Sequence, residues 1–144
     1  ELPNRLEAGT PAIAEVIGLG AAITFLNSLP QAQIRQHEQQ LLRYLQQQLS
    51  QLGDIILYGV DGEPESQANI GAVAFNLADE HHQDVSILLD QQGIAIRSGH
   101  HCAMPLMQSL RIKGCSRASI GVYSNKLDID RFISALAQVK SILL

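Results

Sequence analysis

The strongest constraint on the fold is an amphipathic pattern over residues 31–52. Apolar side chains recur there at helical spacing, while glutamines fill the other face: Ile34, Leu41, Leu42, Leu45, Leu49 and Leu52. Glutamine is a good helix former, so we interpret that face as solvated. Gly53 follows as a C-cap. A helix with one apolar face must bury it against another layer, which predicts a layered domain.

A second helix is predicted over residues 12–28, where small and apolar residues dominate. Thr10 is placed as its N-cap and Pro11 as its first helical residue. Gly18 and Gly20 each cost about 1 kcal/mol of helix propensity, which close packing against other backbone would explain. The prediction is therefore a buried helix.

The rest of the chain mixes strand and helix patterns in an order typical of an α+β fold. Helices are predicted at residues 84–92 and 127–144, and a polar loop at residues 59–68. Strands are predicted at residues 55–58, 70–76, 94–96 and 118–122. We expect a small mixed or antiparallel sheet of about four strands, with helices packed on one face. Residues 1–144 are expected to form a single domain.

Composition excludes several functional classes. The net charge of −4 argues against nucleic-acid binding. No apolar run approaches the roughly 20 residues of a membrane span. Two cysteines, Cys102 and Cys115, are too few for a disulfide framework, so we predict free thiols in a reducing, cytoplasmic compartment.

The segment of residues 97–107 carries the most chemistry, because it places Arg97, His100, His101 and Cys102 together. Polar and cationic neighbours favour a reactive thiol over a structural one, which makes Cys102 a candidate nucleophile. The alternative is a zinc module in which Cys115 is the fourth ligand, although adjacent residues do not easily all face one ion. The pair His81–His82 is interpreted as part of a solvent-exposed loop.

Arg117 precedes the last predicted strand and has two open interpretations. It pairs with a carboxylate of the protein, or it binds a substrate carboxylate in a bidentate manner.

Four stretches, in this order, carry a family resemblance across essentially the whole chain. They are Leu6-Glu7-Ala8-Gly9-Thr10-Pro11, Ile17-Gly18-Leu19-Gly20-Ala21-Ala22, Arg97-Ser98-Gly99-His100-His101-Cys102-Ala103-Met104-Pro105-Leu106-Met107, and Ser116-Arg117-Ala118-Ser119 followed by Tyr123. Together they resemble cysteine desulfurases of the SufS type, also called cysteine desulfurase/selenocysteine lyases.

The resemblance implies the fold of class V aminotransferases and a pyridoxal phosphate (PLP) enzyme. Such enzymes convert L-cysteine, or L-selenocysteine, to L-alanine and keep the sulfur as a persulfide. It implies that Cys102 is the nucleophile, that Arg117 holds the substrate carboxylate, and that Arg97 and His101 lie near the substrate. Thr10 would contact the PLP phosphate of the neighbouring subunit in a homodimer. Sulfur would pass to a small acceptor protein for iron–sulfur cluster assembly.

Several residues depart from the family pattern. A PLP enzyme needs a Schiff-base lysine, and none of Lys113, Lys126 and Lys140 has the family's Ser-x-His-Lys context. Ala12 stands where the family commonly has Asn, and Ser124-Asn125 where it has Asn-Thr. We therefore expect the chain to be the C-terminal part of a desulfurase whose PLP-binding domain precedes it.

We predict that the 144-residue chain alone neither releases sulfide from L-cysteine nor binds PLP covalently, because it lacks that lysine. Absorbance spectra after PLP addition and borohydride treatment test this. A reducible imine band would contradict it.

Overall fold

A computed structural model describes residues 1–59 and 71–144. Residue contacts divide the chain into two compact units, Glu1–Arg35 and Gln36–Leu144, and each is considered by itself. Apart from Gly59, the predicted loop of residues 59–68 lies outside the described residues. Among the described helices, no single one is long and apolar enough to cross a membrane.

The first unit contains a short 3-10 helix, Asn4–Leu6, and helix α1, Ile13–Ser28. The predicted cap is wrong: α1 follows Ala12, and the amide of Ile13 donates to the carbonyl of Pro11 at 2.8 Å. The prediction of a buried helix is also wrong, because no residue of α1 is buried. The apolar composition of α1 favours burial, but a helix is buried only where other parts of the structure pack against it.

The second unit is built on a four-stranded antiparallel sheet, which confirms the predicted α+β class. The spatial order of the strands is β1-β2-β4-β3. Their bounds are β1 Ile55–Tyr58, β2 Ala72–Leu77, β3 Arg97–Gly99 and β4 Cys115–Ser119. Because side chains alternate along a strand, one face of the sheet enters the core and the other carries a different set of residues.

Four helices accompany this sheet: α2 Gln31–Leu52, which begins in the first unit, α3 His82–Asp90, α4 Met104–Leu110 and α5 Lys126–Leu143. The prediction for α2 is confirmed, and Gly53 follows it with φ +71°. Asn125 caps α5 in a reciprocal capping box with Asp128.

The core lies between one face of the sheet and these helices. Helices α2, α3 and α5 contribute Leu41, Leu42, Leu45, Leu49, Val85, Leu89, Ile129, Phe132, Ala135, Leu136 and Val139. From β2, Val73, Phe75 and Leu77 are buried while the alternate residues are not, as the predicted alternation requires. The ring of Phe75 meets that of Phe132 edge to face, with centroids 5.9 Å apart.

Two strand predictions are displaced along the sequence. Residues 94–96 form no strand, since β3 begins at Arg97, and β4 spans Cys115–Ser119 rather than residues 118–122. Apolar content favoured both predicted segments, but backbone pairing decides which residues form the ladder. Residues 94–96 instead line a groove together with residues 118–120.

The interpretation of His82 as an exposed loop residue is wrong. His82 is buried as the first residue of α3, and its Nδ1 lies 2.9 Å from the hydroxyl of Ser98. The hydroxyls of Ser98 and Ser116 donate to its carbonyl at 3.2 and 3.4 Å. His82 therefore fastens α3 to the β3–β4 pair.

We predict that Leu136→Ala lowers the free energy of unfolding by about 2–5 kcal/mol, because Leu136 is 0% exposed and its loss leaves a cavity. Urea denaturation measures the change. Leu127→Ala in the same helix is the matched control: Leu127 is 56% exposed, and we expect a cost of about 0.5 kcal/mol. Equal losses in the two variants would contradict the assignment of the core.

The second prediction concerns pH. Burial, and then the neighbouring His81 and His101, lower the pKa of His82 below its ordinary value, while Asp84 acts against the shift. Below about pH 6.5 the unfolded chain binds a proton that the folded chain resists. The free energy of unfolding should therefore fall as the pH falls through and below that value.

Urea denaturation at about pH 7.5 and about pH 5.5, on either side of the ordinary imidazole pKa, checks this. His82→Asn keeps a polar atom near Ser98 but removes the titrating group. We expect it to show a smaller loss of stability on acidification than the parent chain. An unchanged loss would exclude His82 as a source.

Candidate active site

Two arginines face each other on the side of the sheet away from the core. Arg97 of β3 and Arg117 of β4 are direct partners in the ladder, and Arg117 is also opposite Ala74 of β2. Directly opposed like charges destabilise a sheet unless an anion compensates them. Within residues 1–59 and 71–144 the one ion pair joins Lys140 to Asp54, so no carboxylate there compensates the arginines.

The guanidinium of Arg117 has a hydrogen-bond donor that no group of the described residues accepts from. The side chain is half-buried, and its Nε is a buried donor without a hydrogen-bond partner. The sequence left two interpretations open, a protein carboxylate or a substrate carboxylate as the partner of Arg117. The described residues supply no protein carboxylate for it.

Cys102 lies on a tight turn directly after β3. The amide of Ala103 donates to the carbonyl of His100 at 2.8 Å, which closes a four-residue β-turn. Both central residues, His101 and Cys102, have positive φ, at 54° and 57°. The turn leaves the Cys102 thiol free and exposed, and α4 begins two residues later.

The imidazole of His101 points back to β4, where its Nε2 lies 2.9 Å from the carbonyl oxygen of Cys115. A carbonyl only accepts, so Nε2 carries the proton, and Nδ1 is buried without a partner. Burial, with further contributions from Arg117, Arg97 and His100, lowers the pKa of His101, although the Cys115 hydrogen bond opposes this. The surroundings of His101, including both arginines, therefore disfavour its protonated form.

Two glycines lie beside this turn: Gly99, which belongs to the predicted motif, and Gly114, which the sequence analysis did not identify. Gly99, with φ +124°, is the ladder partner of Cys115. A Cβ on Gly114 would lie 2.9 Å from the carbonyl carbon of Gly99 and would overlap the imidazole of His82. Only glycine at position 114 lets α3 and the end of β3 approach so closely.

Asn76 is another residue that motif searching missed. Its amide nitrogen donates to the hydroxyl of Tyr58 at 3.2 Å and to the carbonyl of Gly114 at 3.1 Å. Its Oδ1 is buried without a partner. The alternation of β2, which places Asn76 on the opposite face from Phe75, was a signal that could have identified it.

The structure brings together four of the five predicted site residues: Arg97, His101, Cys102 and Arg117 lie along β3, its turn and β4. Thr10 belongs to the first unit, where it is exposed next to Gly9 with φ +91°.

Zinc binding by the His-His-Cys loop finds no support in this geometry. The Nδ1 of His100 lies 3.1 Å from the Cys102 amide, which donates to it, and the Nε2 of His101 is used by the Cys115 carbonyl. Across the described residues, no group of three or more His, Cys, Asp or Glu side chains is arranged to hold a metal ion.

Comparisons with known proteins agree with this arrangement. Residues 1–132 match the family described as aminotransferase class-V. The chain is 45% identical, over 143 residues, to a cysteine desulfurase of Yersinia pseudotuberculosis serotype O:1b, covering 99% of the chain and 34% of that protein. It thus spans about a third of the length of the relatives it matches.

Solved structures give the same result. The Escherichia coli cysteine desulfurase CsdA, in its S-sulfonic acid form, superposes with a TM-score of 0.84 at 32% identity, over 99% of this chain and 34% of that one. The apo cysteine desulfurase of Thermococcus onnurineus NA1 gives 0.84 at 35% identity, over 98% and 34%. With a family match that covers nearly all of its residues, the chain belongs to the class-V aminotransferases.

Proposed function

We propose that this chain is part of a PLP-dependent cysteine desulfurase in which Cys102 takes the sulfur of L-cysteine as a persulfide and L-alanine is released. One observation carries the proposal: an exposed thiol follows strand β3, where Arg97 lies opposite Arg117 of β4, and neither arginine has a carboxylate partner among the described residues. An amino-acid substrate supplies the missing carboxylate. The similarity to cysteine desulfurases supports the same substrate.

Each site residue then has a role that its chemistry suits. Arg117 binds the substrate carboxylate, for which a planar guanidinium offers paired donors, and Arg97 adds a second positive charge opposite it. The Cys102 thiolate attacks the substrate sulfur, the carbon–sulfur bond breaks, and its electron pair stays with the carbon. That carbon takes a proton to give alanine, while Cys102 holds the transferred sulfur.

PLP is the cofactor of class-V aminotransferases, and when bound it supplies the electron sink that stabilises a substrate carbanion. The lysines of this chain lie elsewhere: Lys140 pairs with Asp54 at 2.7 Å, and the Lys126 ammonium lies 4.5 Å from the ring centre of Tyr44. Lys113 is exposed before β4. The chain therefore fits a substrate-binding and sulfur-accepting role, with the Schiff-base lysine on residues outside it, and the exposed Thr10 is proposed to contact the PLP phosphate.

The wider assignment follows the SufS-type resemblance. We propose a homodimeric, cytoplasmic enzyme that acts on L-cysteine or L-selenocysteine and supplies sulfur for iron–sulfur cluster assembly. The exposure of Cys102 at the tip of its turn supports transfer to a small acceptor protein, because a persulfide there can be reached by an incoming thiol.

We predict that Cys102→Ser, in a full-length enzyme that includes this chain, abolishes persulfide formation and leaves the PLP absorbance unchanged, because a hydroxyl cannot accept the sulfur. Mass spectrometry of the protein after incubation with L-cysteine measures the added sulfur. Alanine and persulfide production at the parent rate would disprove the role of Cys102.

In the same enzyme, Arg117→Lys should raise the KM for L-cysteine about tenfold to a hundredfold, through loss of a charge-assisted paired hydrogen bond of about 1.5–3 kcal/mol. Arg43→Lys is the matched control, since Arg43 is exposed on α2. A KM unchanged in the Arg117 variant would remove the carboxylate assignment.

A further inference from the structure

The turn that carries Cys102 has an unfavourable backbone. Two consecutive residues with positive φ are typical of turns that contain glycine, asparagine or aspartate, whereas here they are His101 and Cys102. A residue with a Cβ in this region costs roughly 1–2 kcal/mol. Such a conformation persists only where surrounding contacts hold it, and it points to a functional constraint.

The first contact that holds the turn comes from His100. Its Nδ1 accepts a hydrogen bond from the amide of Cys102 at 3.1 Å, while its carbonyl accepts from Ala103 at 2.8 Å. A ring nitrogen accepts only when it carries no proton, so this hydrogen bond requires an unprotonated Nδ1. A single residue thus binds the backbone on both sides of Cys102.

The second contact comes from His101, whose Nε2 donates to the Cys115 carbonyl at 2.9 Å. This bond ties the turn to β4, two residues before Arg117. It also fixes the outward direction of the next side chain, because His101 turns inward while Cys102 is exposed. The nucleophile is thereby placed relative to the strand that carries the carboxylate-binding arginine.

We propose that His100 and His101 are positioning residues: they hold the Cys102 turn in its left-handed conformation through hydrogen bonds to the Cys102 amide and the Cys115 carbonyl, and neither exchanges a proton with the substrate. This inference rests on the proposed desulfurase function for its consequence, but the hydrogen bonds themselves do not depend on it. This role differs from the substrate contact that the family resemblance implies for His101.

Two substitutions at each position separate positioning from chemistry. Asn at position 100 places Oδ1 the same number of bonds from Cα as the imidazole Nδ1, so His100→Asn keeps the acceptor and His100→Ala removes it. Gln at position 101 places an Nε2 donor at the distance of the imidazole Nε2, so His101→Gln keeps the donor and His101→Ala removes it. Neither amide can act as a general acid or base at neutral pH.

In a full-length enzyme that includes this chain, we expect both alanine variants to lower kcat for L-cysteine by tenfold to a hundredfold, the scale of a misplaced reacting group, with KM little changed. His100→Asn and His101→Gln should recover most of kcat. His37→Ala is the matched control, because it removes a similar imidazole bond to the Ser124 carbonyl at 2.9 Å, and it should leave kcat unchanged.

Failure of the amide variants to recover kcat would overturn the proposal in favour of acid–base chemistry by the imidazole. A KM that rises in both His101 variants would overturn it in favour of substrate contact. Alanine variants with parental kcat would show that the two bonds do not position Cys102.

A readout that needs no desulfurase activity keeps this test separate from the proposed function. In the 144-residue chain, the NMR amide shift of Cys102 should move upfield in His100→Ala and return in His100→Asn, as loss and recovery of a hydrogen bond require. Should the full-length enzyme lack desulfurase activity, the proposed function fails while this measurement still decides whether His100 holds the turn. An amide shift that does not respond to His100→Ala would overturn that contact.

Discussion

The antiparallel pairing of β3 with β4 is the interaction on which the rest of the site depends. Its register places Arg97 opposite Arg117 and Gly99 opposite Cys115. Because side chains alternate with a period of two, a slip by one residue would send one arginine into the core and separate the charges. The same register sets where β3 ends, and so where the turn that carries Cys102 begins.

On the core side, the β3–β4 pair is stabilised by hydrogen bonds of small polar side chains rather than by apolar packing. Ser98 and Ser116 are ladder partners, and both donate to the carbonyl of His82. Gly114 has no side chain to separate His82 from Gly99. A buried histidine held by hydroxyls is directional, so it specifies one arrangement of α3 on the strands where apolar contacts would tolerate several.

On the face of the sheet away from the core, three buried polar atoms have no hydrogen-bond partner among the described residues. The Nε of Arg117, the Nδ1 of His101 and the Oδ1 of Asn76 are buried without hydrogen-bond partners. Unsatisfied buried polar atoms are rare in folded proteins and call for an explanation. Under the proposed function the substrate carboxylate is the partner of Arg117 on this face, whereas His101 is assigned to the turn and not to the substrate.

Sequence patterns alone determined the features that depend on local spacing: helix α2 and the Gly53 that follows it, strand β1, the alternation of β2, and the α+β class. They also singled out the loop that contains Cys102, the proposed nucleophile. They failed wherever a distant partner decided the outcome. Residues 94–96 are apolar enough for a strand, yet the strand forms at Arg97–Gly99. His82 was predicted to lie in an exposed loop, but it is buried and hydrogen-bonded to Ser98 and Ser116. Only the tertiary structure could oppose two arginines or turn His101 toward Cys115, because hydrogen-bond partners 14 residues apart along the chain leave no periodic trace in the sequence.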